Sequence, residues 1–207
     1  MSSDLKVTNI KHADSASNNL VLGSDGSATI NQISSSSVFP AGGTGNPISV
    51  AVIADEKSAT TNGGGSSTGS FIARELNTVI SDTEGSNGTV TLSSSDPNYP
   101  STGVLDQFTL SAGTYLISWR TPAYTTYRHQ SQLYDVTGPS ALAEGSSEFA
   151  FDDQTFSVGS FVHTITTNNT YEIRHRHQNA VAGNGLGVES NHGVNCVYTS
   201  VVISKLK

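Results

Sequence analysis

The feature that most constrains this chain lies at residues 107–203. Short β-prone runs follow one another there, each closed by a turn signal. Tyr115-Leu-Ile-Ser-Trp-Arg120 alternates strictly, with Tyr115, Ile117 and Trp119 on one side, the period of a half-buried strand. Gln107–Leu110 precedes it across the turn Ser111–Thr114, and His129–Val136 follows, broken by Gly138-Pro139. Ser157–Thr166 and Thr170–His177 flank Thr167-Asn168-Asn169 and read as a hairpin. Gly183–Gly187 reads as a loop and Val194–Ile203 as a last strand. Regularly punctuated short strands predict an all-β antiparallel sandwich. Trp119 and Tyr115 are expected in its core.

The same reading extends upstream. Ile48–Ala54 and Thr89–Leu92 are strand-like, Thr60–Ser70 is a glycine-rich loop, and Ser93–Ser101 is a loop with two prolines. Phe71–Ile80 is ambiguous between a helix and strand plus loop, because Phe71, Leu76, Val79 and Ile80 are only loosely helical in spacing. Residues 1–33 form a separate unit. Asn19–Ile30 reads as strand, Asp25-Gly26 turn and strand. A lone hairpin is marginal in water, so this unit is expected to pack against something. Residues 34–47, four serines followed by small residues and two prolines, read as a linker. The expected organisation is therefore 1–33, linker 34–47, and one β domain at 48–207.

Composition narrows the function. Only 13% of residues are charged, against about 25% in a usual soluble domain. The formal net charge of -7 argues against nucleic acid binding by a basic surface. No apolar run approaches the roughly 20 residues of a membrane span, so no membrane insertion is expected. The N-terminus has no apolar signal core, which predicts synthesis and folding in a cytoplasm. A single cysteine, Cys196, excludes an intrachain disulfide and is expected as a small buried hydrophobe.

Phe71-Ile-Ala-Arg-Glu-Leu-Asn-Thr78, Phe108–Tyr115, Pro122–Tyr134 with Arg128-His129-Gln130, Tyr171–Gln178, Asn184–Val188 and the Val-Tyr-Thr-x-Val-x-Ile strand form a set of segments in the β domain. Together they resemble a domain common in bacteriophages of aquatic bacteria. Leu110-x-x-Gly113-x-Tyr115 followed by a β run is similar to the jelly-roll heads of the tumour necrosis factor and complement superfamily. Leu5–Ile10 and Leu22–Ile30 resemble the short β segments that precede such heads in phage fibres. The resemblance implies a jelly roll, a homotrimer and a place on the virion exterior, with residues 1–33 docking onto other virion proteins of tail or capsid. A tail fibre or appendage whose head contacts the host surface is one reading. A capsid decoration protein stabilising the shell is the alternative. Both are non-enzymatic.

Candidate sites are weighed against plain structural roles. Tyr124, Tyr127, Arg128 and His129 form an expected surface patch for a host glycan or protein, with Tyr99 and Tyr134 as further aromatics; core or subunit-interface packing is the competing role. His175 and His177 share a strand face, and His163 from the preceding strand is a weak third metal ligand. With no carboxylate or cysteine evidently placed beside them, no metal and no cofactor are expected. Asp55, Glu56, Asp82, Glu84, Asp96, Asp152 and Asp153 match no calcium loop and read as solvated loop carboxylates. No nucleophile elbow or phosphate loop occurs. A glycan hydrolase working through paired carboxylates is the residual enzymatic reading.

Overall fold

The computed structural model describes residues 49–84, 88–97 and 103–206, and in the N-terminal part the strands β1 (Asn9–Ile10), β2 (Leu20–Leu22) and β3 (Ala28–Ile30). The chain divides into two units, Met1–Pro47 and Ile48–Lys207. In the first, β2 pairs antiparallel with β3 about the Asp25-Gly26 segment, Leu20 opposite Ile30, and β1 pairs on the other side of β2. The linker expected at 34–47 lies outside the described residues.

The second unit is all-β and antiparallel. Its strands are β4 (Ser49–Lys57), β5 (Ile72–Ala73), β6 (Thr78–Asp82), β7 (Val90–Ser93), β8 (Gln107–Leu110), β9 (Gly113–Tyr124), β10 (Tyr127–Asp135), β11 (Ser140–Ala150), β12 (Gln154–Ile165), β13 (Asn169–His177) and β14 (Cys196–Lys205). One sheet has the order β11-β10-β13-β8-β7, with β5 also on β13, and the other the order β12-β9-β14-β4-β6. The pairings are nested. β4 pairs with β14, β8 with β13, β9 with β12 and β10 with β11, alternating between the sheets. A long antiparallel hairpin rolled up in this way is a jelly roll.

This nesting corrects one local expectation. Thr167-Asn168-Asn169 does not close a hairpin, because β12 and β13 belong to different sheets. Each strand finds a better-matched partner across the roll: β12 runs along β9 for twelve consecutive registered pairs, Gln154↔Tyr124 to Ile165↔Gly113. Ser111-Ala112 likewise carries the chain from one sheet to the other. Phe71–Ile80 is not helical; it forms β5 and β6 joined by an extended segment. Ile72-Ala73 adds to the edge of β13, and Leu76 drops into the core with no exposure.

The core lies between the sheets. Ile53, Phe108, Leu110, Tyr115, Ile117, Trp119, Leu133, Tyr171, Ile173 and Ile203 are buried and packed together. Their alternation with exposed neighbours is the period-two pattern of the sequence. A polar chain crosses between the sheets through the β9–β12 and β10–β11 pairs. Trp119 Nε1 donates to Ser131 Oγ at 2.9 Å. Ser131 Oγ in turn meets Ser157 Oγ at 2.7 Å, and Ser157 Oγ donates to the Ser146 carbonyl at 2.7 Å. Each buried hydroxyl is satisfied, so the chain fixes the indole without leaving an orphan donor. Gly159 lies directly opposite Trp119, and a Cβ there would overlap three atoms of the indole ring.

Two of the carboxylates expected as solvated loop groups are structural. Asp55 is in β4, buried, and ion-paired with Lys57 at 3.0 Å. Burial raises its pKa, and the Lys57 charge opposes that rise. Asp82 accepts from the Thr89 backbone N–H at 2.6 Å and from the Thr89 hydroxyl at 3.0 Å, holding the approach to β7. Cys196 is free and buried at the start of β14.

Candidate functional site

An open cleft of about 980 Å³ lies against the ladder of β11, β10 and β13. The register builds its floor. Arg128 stands opposite Phe149, Gln130 opposite Ser147 on one side and opposite Arg176 on the other. Residues opposite one another in a ladder share a face. Phe149, Arg128, Ser147, Gln130 and Arg176 thus form one array on the outer face of the sheet, and Gln178 continues it through its backbone N–H to the Arg128 carbonyl. Gly69 and Phe71 add to the lining, joined to the β13 edge by the Thr68–His177 bridge. Neither Arg128 nor Arg176 forms an ion pair among the described residues; Arg128 makes only a long 3.4 Å contact to Gln178 Oε1.

Beside the cleft the backbone is strained. Thr125 and Tyr127 have φ of 53° and 61°, unfavourable for a β-branched and a bulky residue. The turn between β9 and β10 therefore holds Tyr127 in a conformation that packing must maintain. Tyr127 packs edge-on against Phe149 and Phe151, at centroid distances of 5.6 and 5.4 Å. Phe149 and Phe151 are stacked and about half exposed, at 51% and 53%.

Behind the cleft sits a buried cluster of one arginine and three histidines. Arg74, fully buried, donates to the Pro122 carbonyl at 3.1 Å and to the Leu186 carbonyl at 2.9 Å. It also meets His175 Nδ1 at 3.2 Å. Because a guanidinium only donates, His175 Nδ1 accepts and its Nε2 carries the proton. His175 Nε2 then donates to His129 Nδ1 at 3.0 Å, and His129 Nε2 donates to Thr155 Oγ1 at 2.7 Å. Both rings are thus neutral and of one tautomer. Burial also pushes the His129 pKa down to about 4 and that of His175 well below normal, with the Arg74 charge adding to both. His177 packs on His175 with ring centroids 4.1 Å apart, and burial lowers its pKa to about 3. Neither of its ring nitrogens meets a partner at hydrogen-bonding geometry, the nearby Ser67 backbone falling short of it. Burial brings the Arg74 pKa down to about 10, so it stays charged at neutral pH.

The residues singled out in the sequence therefore divide. Arg128 and His129 line the cleft, Tyr127 supports its aromatic wall, and Tyr124 lies at the end of β9 opposite Gln154. Tyr134 is further along β10, with the Arg174 guanidinium over its ring. Tyr99 lies outside the described residues. His175 and His177 join His129 rather than His163, which is on β12 against Phe161 and Tyr171. The ring nitrogens of His129 and His175 are engaged with one another, Arg74 and Thr155, and among the described residues no group of three His, Cys, Asp or Glu is arranged to hold a metal ion. Arg74 was not singled out in the sequence as a site residue. Its signal was an arginine enclosed by Ile72, Ala73 and Leu76.

A second surface is the outer face of the other sheet. Its registered rows are Val162–Leu116–Ser204–Val50, Ser160–Ser118–Val202–Val52–Ser81 and Val158–Arg120–Ser200. Arg120 is the one charged residue in these rows. Val162, Val158 and Val202 are exposed by 56%, 50% and 41%.

No family model matches the chain and no curated protein matches it in sequence. Among solved structures it is similar to murine APRIL, with 11% identity and a TM-score of 0.47 over 77% of this chain and 100% of that one. It is similar also to the globular domain of zebrafish complement 1qA protein, with 12% identity and a TM-score of 0.40 over 78% and 98%. A third similar structure is the PRD1 vertex protein, with 11% identity and a TM-score of 0.45 over 77% and 97%. The jelly-roll assignment stands on the nested strand order.

Proposed function

We propose that this chain is a non-enzymatic structural protein of a bacteriophage particle, a homotrimeric tail fibre or appendage whose jelly-roll head contacts the host surface. Residues 1–33 dock it onto other virion proteins. It is made in the host cytoplasm and resides on the virion. The observation that carries this reading is the nearly uncharged outer face of the β12-β9-β14-β4-β6 sheet. Rows of Val, Leu and Ser carrying one arginine, with Glu56 opposite Val197 at the end of the face, suit burial against copies of the same face, and exposed apolar surface of this kind marks an interface. A closed symmetric oligomer buries such a face without leaving a growing edge. The opposite sheet, which carries the cleft, then remains open to an outside partner. The sequence resemblance of residues 71–78, 108–115, 122–134, 171–178 and 184–188 to a domain of phage proteins supplies the setting.

The test has two parts. Light scattering on the purified chain is expected to give three times the chain mass of 21.6 kDa; a monomer at micromolar concentration overturns the trimer. Imaging of particles carrying a C-terminal tag is expected to find the protein at the tail. Regular capsid positions would replace the attachment role with shell decoration, and absence from the particle would refute a virion role altogether.

A further inference from the structure

The cleft on the β11-β10-β13 ladder has a lining opposite in sign to the acidic chain as a whole. The whole chain carries a formal net charge of -7, yet the cleft lining holds Arg128 and Arg176 against a single acid, Glu148. The two arginines are diagonal neighbours in the ladder, since Arg176 is opposite Gln130 and Arg128 lies two residues before it on β10. Diagonal side chains of that length reach a common point. Both are free of ion pairs among the described residues, so their donors are available to a ligand.

We propose that this cleft binds a carboxylate-bearing sugar, with the carboxylate held by Arg128 and Arg176 and the sugar ring laid against Phe149. Planar guanidinium forks match a carboxylate in two parallel hydrogen bonds. Phe149, half exposed and braced by Tyr127 and Phe151, offers a rigid apolar plane to the C–H face of a pyranose. Tyr127 keeps that brace despite an unfavourable φ of 61°. Local strain of this kind concentrates at binding sites. Gln130, Gln178, Ser147 and Glu148 supply the mixed donors and acceptors that ring hydroxyls require. Nucleic acid fits poorly, because two cations do not offset the repulsion of a phosphate chain by so acidic a protein. A simple phosphate would use the arginines but leave the aromatic wall and the amides without a role.

This site rests on the reading of the head as the part that touches the outside, and it is tested on the isolated full chain, so its failure leaves the position on the particle undecided rather than refuted. Saturation-transfer NMR is run with methyl glucuronide, with methyl glucoside as its neutral twin, and with inorganic phosphate as competitor. Transfer to the glucuronide at millimolar concentration is expected, with binding of the glucoside at least about tenfold weaker. The double variant R128Q/R176Q is expected to reduce glucuronide binding to the glucoside level. F149A is expected to weaken both sugars. Arg128 and Arg176 are exposed, so R128Q/R176Q is expected to melt as the parent does, whereas F149A removes a half-buried ring and is expected to melt lower yet stay folded at the assay temperature, and a melt of each reads this. No transfer to either sugar, equal transfer to both, or an unchanged signal in R128Q/R176Q overturns the proposal. Complete displacement by phosphate at equal concentration also overturns it, since the ring contacts would then contribute nothing.

Discussion

Replacing Gly159 with alanine probes how tightly the sandwich is packed around its single tryptophan. Gly159 lies opposite Trp119 in the β12–β9 ladder, and a Cβ there would overlap Cζ2, Cε2 and Cη2 of the indole. The ring cannot shift freely, because its Nε1 donates to Ser131 within the chain that ends on the Ser146 carbonyl. Overpacking of this kind costs about 1–3 kcal/mol. Breaking the indole hydrogen bond adds about 1 kcal/mol. The sum, roughly 2–4 kcal/mol, corresponds to a melting point lower by roughly 4–16 °C for a domain of this size. The assay is urea unfolding of G159A, W119F, the double variant and the parent at one fixed protein concentration, since oligomerisation makes stability concentration-dependent. Far-UV circular dichroism follows all four, because W119F removes the only tryptophan. Phenylalanine lacks the indole atoms that the new methyl would strike, so G159A should cost much less in the W119F background. An unchanged midpoint for G159A refutes the packing argument. So does a cycle that is additive to within about 0.5 kcal/mol.

Three further outcomes follow from the buried cluster and the flat face. R74M removes donors to the Pro122 and Leu186 carbonyls and to His175, leaving buried acceptors unpaired; a loss of about 3–5 kcal/mol in chemical unfolding is expected. The histidines have folded pKa values below their ordinary 6.5, His129 about 4 and His177 about 3, so the unfolded chain takes up protons first as pH falls. The contribution of each is therefore full above pH 6.5 and lost as pH falls from 6.5 to about 4 for His129 and to about 3 for His177, each up to about 1.4 kcal/mol per pH unit; unfolding midpoints of H129Q should fall less steeply between pH 6.5 and about 4 than those of the parent. V162E/V202E places charges in two adjacent rows of the β12-β9-β14-β4-β6 face; light scattering is expected to shift from the oligomer to a mass near 21.6 kDa.

The sequence alone determined the class of fold and the inside of the sandwich. Alternation in Tyr115–Arg120 put Tyr115, Ile117 and Trp119 on the buried face, where their exposures are 1%, 0% and 3%. Asp25-Gly26 between β-prone flanks signalled a hairpin in the sequence, and β2 pairs with β3 on either side of that segment. Periodicity is local, so it reports which side of a strand is buried but not which strand lies beside it. The tertiary structure alone decided that β12 and β13 separate into different sheets, since that depends on pairings over a hundred residues apart such as β4 with β14. The same long-range register brought His129 opposite His177, and set Arg74 against His175. It also moved Asp55 from an expected solvated loop to a buried strand. Arg128 and His129 were legible as neighbours because they are adjacent in the sequence, beside Tyr124 and Tyr127. Phe149, Arg176 and Gln178 were not, because only the β11-β10-β13 ladder makes them neighbours.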